Sequence, residues 1–185
     1  MTDEIGETLR EIVARLEALA IPYMLVGSVA ALAHGRERST KDFDVVVDAD
    51  AAKLRALVHG LPTDRFYASE AAAMEALRHH TQFKLIDLHT GWKVDLIVRK
   101  PRPFSTMEFS RRCALDVLGV KLFVATIEDT IIAKLEWAKA GGGSQRQLED
   151  ARALIRLAGA GLDRPYVEHW IAELGLAELW TAARA

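Results

Sequence analysis

The acidic pair Asp42 and Asp44 is the feature of the sequence best suited to chemistry. The pair flanks Phe43 at the start of residues 42–48, a run whose composition predicts a β-strand. Side chains at positions i and i+2 of a strand share a face, so both carboxylates are expected to point the same way. Mg²⁺ relieves the repulsion between such carboxylates, and one or two of them typically hold it together with substrate phosphates. The alternative is an exposed strand that simply carries two acids.

A third acid, Asp95, interrupts the apolar run in residues 92–98. Acidic side chains are rarely buried unless they are paired or bound to a metal. If this strand lies beside the strand of the acidic pair, three carboxylates converge into the ligand set of a phosphoryl-transfer site with one or two metal ions. Asp87 interrupts a strand in the same way, across a predicted hairpin, and is the competing candidate.

The turn at Gly27 and Ser28 supplies a second part of such a site. A short apolar strand over residues 23–26 ends at Gly27, and Ser28 opens a predicted short helix. Glycine permits close approach of the backbone to a ligand, and a helix N-terminus offers free N–H groups to a phosphate. A Gly-Ser turn alone is common, but one followed 14 positions later by Asp-x-Asp on a second strand is more specific.

Together these motifs resemble the nucleotidyltransferase superfamily of DNA polymerase β-like enzymes. In that pattern a hydrophobic residue, Gly and Ser precede a strand with Asp-x-Asp, and a third acid lies on a later strand. The resemblance covers roughly residues 20–100. It implies a nucleoside triphosphate as substrate and Mg²⁺ as cofactor. It also implies that Gly27 and Ser28 bind phosphates, that Asp42 and Asp44 are metal ligands, and that Asp95 is a third ligand or a base.

A second resemblance covers the C-terminal part of the chain. Residues 126–137 and 146–150 are similar to the bacterial nucleotidyltransferase-like group near the AbiEii/AbiGii toxins, in which one helix carries a Lys and the next an Asp. The resemblance implies that Lys134 contacts nucleotide phosphates, that Asp150 orients Lys134 or the nucleophile, and that Arg146 is a further phosphate contact. From the residues alone, Lys134 is an ordinary helix lysine and Asp150 an i,i+4 partner of Arg146.

The elements that must position these residues predict a mixed fold. Strands and helices alternate in the first two thirds, and the periodicity of the last third is helical. We therefore predict an α+β (mixed α/β) nucleotidyltransferase fold, with a small mixed β-sheet flanked by helices and a C-terminal helical extension. The predicted nucleotidyltransferase core is residues 1–122, and the helical region is residues 123–185.

Composition narrows the function further. The chain has 185 residues, of which 50% are hydrophobic and 27% charged, so a folded core is expected rather than disorder. A net charge of −2 argues against a general nucleic-acid coat. The single cysteine, Cys113, and the lack of a signal core or membrane-length apolar run predict a cytoplasmic protein without a membrane segment. Core packing is the ordinary role of the four tryptophans, and Trp137 is the candidate for stacking on a base.

The expected activity is Mg²⁺-dependent transfer of a nucleoside monophosphate from a triphosphate to an acceptor hydroxyl. The resemblances leave the acceptor open between tRNA or other RNA, a protein and a small molecule. The toxin-like resemblance adds a toxin–antitoxin role and an antitoxin partner. Two alternatives stay open: a non-catalytic nucleotide- or partner-binding module on the same fold, and a Mg²⁺-dependent phosphohydrolase that uses the same acids.

Overall fold

A computed structural model describes residues 2–36, 42–117 and 119–185. The helices are α1 (Thr2–Ala18), α2 (Gly27–Ala33), α3 (Ala51–Gly60), α4 (Glu70–His79), α5 (Pro103–Arg111), α6 (Ile127–Ala140), α7 (Gln145–Ala158), α8 (Arg164–Glu173) and α9 (Ala177–Arg184). The strands are β1 (Tyr23–Val26), β2 (Asp42–Val47), β3 (Phe66–Ala68), β4 (Gln82–Asp87), β5 (Lys93–Val98), β6 (Cys113–Val117) and β7 (Val120–Val124).

The strands form one mixed sheet in the order β3-β4-β5-β2-β1-β7-β6, which confirms the predicted fold class. Strand β2 lies at the centre, parallel to β5 and antiparallel to β1. The predicted hairpin is the antiparallel pair β4–β5. Because β2 and β5 are neighbours, the condition for bringing Asp44 close to Asp95 is met. Strand β3 was not predicted; it has only three residues and lies at the edge of the sheet.

The two faces of the sheet are packed differently. Alternate residues of the central strands, including Phe43, Val45 and Leu96, pack against α1, α3 and α4 in the main hydrophobic core. On the opposite face Met24 of β1 packs against Phe109 of α5 in a small cluster. The helices α6 to α9 form a second core with Phe104 of α5. The open face of the sheet is therefore only partly covered, and a cavity lies between it, α5 and α6.

The C-terminal helices begin where the sequence predicts. The Thr126 hydroxyl accepts a hydrogen bond from the Asp129 N–H at 3.2 Å and caps α6. The predicted boundary between residues 122 and 123 lies within β7, and the all-helical part of the chain starts at Ile127. None of the helices in the described part of the chain is long and apolar enough to cross a membrane.

Candidate active site

Two carboxylates meet at the centre of the open sheet face. In the parallel ladder between β2 and β5, Asp44 lies directly opposite Asp95. Asp42 lies two residues before Asp44 and therefore on the same face of the strand. Burial, the neighbouring Asp95 carboxylate and, to a smaller extent, Asp42 raise the pKa of Asp44 to about 6. The crowding of negative charge expected from the sequence is thus present at this position.

Gly27 is required by its closeness to Asp44. It follows β1 and has a backbone φ of +67°, which residues with a side chain rarely adopt. A methyl group at Gly27 would collide with the Asp44 carboxylate. Gly27 and Ser28 both line the cavity. The glycine therefore lets the turn after β1 lie against the acid, and its predicted contact with phosphates stays a prediction.

Asp95 already has two partners. Its Oδ1 accepts a hydrogen bond from Lys84 Nζ at 2.6 Å, and its Oδ2 accepts one from Gln82 Nε2 at 3.2 Å. Both donors lie on β4, where Lys84 pairs directly with Asp95 across the hairpin. Sequence reasoning missed these contacts, although the hairpin register, once known, places Lys84 opposite the acid. The orientation of the Asp95 carboxylate is therefore fixed by β4.

The donor set fits a divalent cation at Asp42 and Asp44. Carboxylate oxygens are the ligands that Mg²⁺ prefers, and a cation would relieve the repulsion that raises the pKa of Asp44. Within residues 2–36, 42–117 and 119–185, no group of three or more His, Cys, Asp or Glu side chains is already arranged to hold a metal. For Asp95 to join, the cation would use a lone pair of Asp95 that the hydrogen bonds from Lys84 and Gln82 leave available. The three-carboxylate site stays a prediction.

Lys134 and Asp150 form a buried ion pair. Lys134 Nζ of α6 lies 3.0 Å from Asp150 Oδ2 of α7, and both side chains are almost fully buried. Arg36 Nη2 lies 3.6 Å from the other Asp150 oxygen. Lys134 also lines the cavity, and its charge lowers the pKa of Asp44 against the larger effects that raise it. Asp150 is thus the buried partner of Lys134, and the roles that the toxin-like resemblance implies for the two residues stay predictions.

Arg146 lies on the exposed surface at the start of α7. Its neighbour Gln147 lines the cavity instead. The helix therefore presents a neutral amide to the cavity, and the predicted phosphate contact of Arg146 stays a prediction.

The cavity has a volume of about 490 Å³. Its floor is formed by β2 and β5, with Asp44, Val46 and Ile97, and one wall by α6. Trp137 lies on that wall one turn after Lys134, and it is 61% exposed. A cavity of this size, with an apolar floor and a few charged groups, is typical of a small-molecule site.

The opposite wall carries groups that the sequence did not reveal. Arg102 donates hydrogen bonds to both carboxylate oxygens of Glu136 at 2.7 Å. Glu108 of α5 lines the same wall and is buried. Burial, then the nearby charges of Asp129 and Glu136, raise the pKa of Glu108 to about 8. No local sequence pattern predicts this, because the neighbours of Glu108 come from a helix more distant in the chain.

Asp87, the competing acid, lies on the other face of the sheet. It accepts hydrogen bonds from the Thr8 hydroxyl at 2.7 Å and from Arg65 Nη2 at 3.2 Å. Burial opposes ionisation, but these donors lower the pKa of Asp87 below its ordinary value. Asp87 therefore joins α1 to the hairpin and does not reach the cavity.

The fold matches that of solved nucleotidyltransferase structures. The solution structure of the antibiotic-resistance factor ANT(2″)-Ia is 13% identical, with a TM-score of 0.60, and the match covers 96% of this chain and 97% of that chain. Its crystal structure in complex with adenylyl-2″-tobramycin is 16% identical, with a TM-score of 0.59, and the match covers 91% of this chain and 95% of that chain. An antigenic nucleotidyltransferase-like protein from Paracoccidioides brasiliensis is 21% identical, with a TM-score of 0.61 and coverage of 99% and 93%.

No family model matches the chain, and no curated protein matches it. At these low identities the likeness of the structures establishes the fold. The chain therefore has the nucleotidyltransferase fold over nearly its whole length.

Proposed function

We propose that the protein is a Mg²⁺-dependent nucleotidyltransferase that moves a nucleoside monophosphate from a triphosphate to an acceptor hydroxyl. The observation that carries the proposal is the position of Asp44, which lies opposite Asp95 in the sheet and against Gly27, in a cavity that Gly27 and Lys134 also line. Nucleotidyl transfer depends on positioning and charge neutralisation more than on covalent chemistry. The fold and the local geometry support the same reaction.

In this reaction the acceptor oxygen attacks the α-phosphorus, the bond to the β-phosphate oxygen breaks, and pyrophosphate leaves. Asp42 and Asp44 would hold Mg²⁺, which neutralises charge on the triphosphate. Gly27 and Ser28 approach the phosphates. Lys134, oriented by Asp150 at 3.0 Å, offsets charge on the leaving pyrophosphate.

Asp95 is the candidate base for the acceptor hydroxyl. Its carboxylate lies opposite Asp44 and is oriented by Lys84 and Gln82 on β4. A base must lie within hydrogen-bond reach of the proton that it removes, either directly or through one water. The proton of the attacking hydroxyl would pass to the Asp95 carboxylate as the new bond to phosphorus forms.

Trp137 is the candidate contact for the nucleobase. Its side chain is 61% exposed on the cavity wall, so the face of the indole ring is accessible to a ligand in the cavity. Stacking a base on an aromatic ring contributes about 1–3 kcal/mol and does not depend strongly on which base is bound. The position one turn after Lys134 places the ring beside the phosphate contact.

The chemical class of the acceptor is supported less directly. The ANT(2″)-Ia complex contains adenylyl-2″-tobramycin, a nucleotidylated small molecule. This favours a small-molecule acceptor for a fold of similar extent. RNA or protein acceptors, together with a toxin–antitoxin role and an antitoxin partner, are the extension that the toxin-like resemblance implies.

A second candidate function is nucleotide binding without catalysis. It is favoured by one observation: both oxygens of Asp95 are already engaged by Lys84 and Gln82. Such a module would bind a triphosphate through Lys134 and the Gly27 turn and release no pyrophosphate.

Calorimetric titration with each of the four nucleoside triphosphates, in Mg²⁺ and in EDTA, tests the proposal. We expect one triphosphate to bind in Mg²⁺ only, and release of pyrophosphate once an acceptor is supplied from a panel of RNA, protein and amino sugars. Asp44→Asn should retain the fold and lose at least about a thousandfold in turnover, which is typical when a reaction loses a central electrostatic group. Asp64→Asn, on an exposed loop, is the matched control. Transfer that persists in Asp44→Asn contradicts the assignment, and Mg²⁺-independent binding without pyrophosphate release favours the non-catalytic module.

A further inference from the structure

Glu108 is a buried carboxyl group on the cavity wall. It is 8% exposed, and it shares one face of α5 with Phe104 and Ser105, which also line the cavity. In the described part of the chain, no hydrogen bond or ion pair reaches its carboxylate, whereas Asp87 of similar burial accepts several. Burying an unpaired carboxyl group is costly, so its presence requires an explanation.

The nearby cations are committed to other acids. Arg102 donates to both oxygens of Glu136 at 2.7 Å. Arg111 Nε donates to Asp129 Oδ2 at 3.3 Å. The charged groups that act on Glu108 are therefore two acids, Asp129 and Glu136, and the already paired Arg102.

Among the described residues, no cation is thus left to pair with Glu108, and the carboxylates of Asp129 and Glu136 lie close to it. Burial has the largest effect on its pKa, and together with Asp129 and Glu136 it raises the pKa to about 8, while Arg102 lowers it. A group that carries positive charge and several N–H donors would satisfy this carboxylate and offset the acids beside it.

We propose that Glu108 binds a protonated amine of the acceptor, so that the acceptor is a small molecule carrying an ammonium group as well as the hydroxyl that is modified. The proposal deepens the proposed function and depends on it only in naming the ligand as the acceptor. Glu108 is then a specificity-determining residue. It lies on the cavity wall opposite the phosphate contact Lys134, and both residues face the same 490 Å³ space.

A nucleobase explains Glu108 less well. The edge of a neutral base offers hydrogen bonds to the Glu108 carboxylate but no positive charge. The α6 wall already presents Trp137 and Lys134 to a nucleotide. An ammonium group also makes a distinct prediction about protons: a carboxyl group that holds a proton near neutral pH releases it when the cation binds.

Calorimetry with tobramycin, glucosamine and glucose tests the proposal. Glucosamine and glucose differ at one position, an amine in place of a hydroxyl. We expect tobramycin and glucosamine to bind the wild type, and glucose to bind at least tenfold more weakly than glucosamine. Glu108→Gln, which keeps the shape and removes the charge, should weaken the binding of both amines at least tenfold. Glu173→Gln, on the exposed end of α8, is the matched control and should leave it unchanged.

A second readout separates direct contact from a structural effect. Repeating the tobramycin titration near pH 7 in buffers of different ionisation enthalpy gives the number of protons released on binding. The wild type should release more protons than Glu108→Gln, while the circular dichroism spectrum and the triphosphate affinity of the variant stay unchanged.

Three results overturn the proposal: no amine binds the wild type, Glu108→Gln binds the amines as tightly as the wild type, or Glu108→Gln changes triphosphate affinity instead. These are distinct from failure of the proposed function. Amine binding without triphosphate binding leaves the Glu108 site standing and removes the transferase. Triphosphate turnover without amine binding does the reverse.

Discussion

Asp87 and Glu108 are buried acids on opposite sides of the sheet, and they differ in their donors. Asp87 accepts hydrogen bonds from Thr8, Arg65 and the His89 N–H, and its pKa is lowered. Glu108 is about as deeply buried, but its main neighbours are acids and its pKa is raised to about 8. Burial alone therefore does not decide the charge state of a carboxyl group; the donors around it do.

This difference separates acids with a structural role from acids in the cavity. On the packed face, acids are satisfied by the protein itself and join secondary-structure elements. On the cavity face, burial and then the neighbouring carboxylates raise the pKa values of both Asp44 and Glu108. Carboxyl groups with raised pKa values in a cavity are typical of ligand-binding sites. Substitutions on the packed face should thus cost stability, and those on the cavity face should cost binding or turnover.

Asp87→Ala should produce the largest loss of stability. It leaves Arg65 and Thr8 without their buried acceptor, which is expected to lower the free energy of unfolding by about 3 kcal/mol. Urea unfolding measures the loss, with Asp64→Ala on an exposed loop as the control. Triphosphate affinity of the folded variant should equal that of the wild type. If affinity falls while the unfolding midpoint is unchanged, Asp87 belongs to the site and the division fails.

Gly27→Ala should cost activity through a collision. The added methyl group meets the Asp44 carboxylate, and displacing a reacting group by about 1 Å can lower turnover about a hundredfold. Gly142→Ala is a close control, because Gly142 has the same φ of +67° but open space around its Cβ position. Both variants carry the backbone strain, so only the collision separates them. Equal turnover in the two variants would show that Gly27 is needed for its backbone conformation alone.

The sequence predicts the cavity face where local patterns determine it. Asp42 and Asp44 share a face because strand periodicity is two, and Gly27 follows a strand whose ends are marked by Pro22 and the glycine itself. The meeting of Asp44 with Asp95 was predicted only conditionally. It depends on β2 and β5 being neighbours, which is a property of the sheet order.

Other parts of the site depend on contacts between distant segments. The two acids that raise the pKa of Glu108, Asp129 and Glu136, belong to α6 and are 21 and 28 positions later in the chain. The sequence context of Glu108, Thr-Met-Glu-Phe, is that of an ordinary helix residue. Likewise, Asp87 and Asp95 look equivalent as acids within apolar strands. The strand register places Asp87 among core residues and Asp95 on the open face.

Trp137→Ala should weaken triphosphate binding about tenfold, since stacking on a base contributes about 1–3 kcal/mol. Trp137→Phe should recover part of the affinity because it keeps an aromatic face. Tyr67→Ala removes another exposed aromatic side chain, on β3 and away from the cavity, and should change nothing. Titration calorimetry in Mg²⁺ measures all three. An unchanged dissociation constant in Trp137→Ala would leave the exposed ring without a role in nucleotide binding.

The pH dependence of stability also distinguishes Glu108 from Asp87. The folded protein holds the Glu108 proton up to a pH of about 8, whereas the unfolded chain loses it near the ordinary value of 4.5. The folded state therefore binds more protons in this window, and the free energy of unfolding falls as pH rises, by at most about 1.4 kcal/mol per pH unit. Asp87 acts in the opposite direction: its contribution is present above the ordinary value of 3.8 and is lost as pH falls below it.

Two variants distinguish the contributions of Glu108 and Asp87 to the pH dependence of the free energy of unfolding. Glu108→Gln should reduce the slope of the stability curve between pH 5 and 8, because it removes the proton that Glu108 holds. Asp44, whose pKa is raised to about 6, still contributes to the slope below pH 6. Asp87→Asn should reduce the loss of stability at acid pH. Near neutral pH its stability curve should run parallel to that of the wild type. Urea unfolding at a series of pH values measures both. Parallel curves for Glu108→Gln and the wild type between pH 5 and 8 would mean that Glu108 is ionised in the folded protein, and that a cation from the chain itself reaches it in solution.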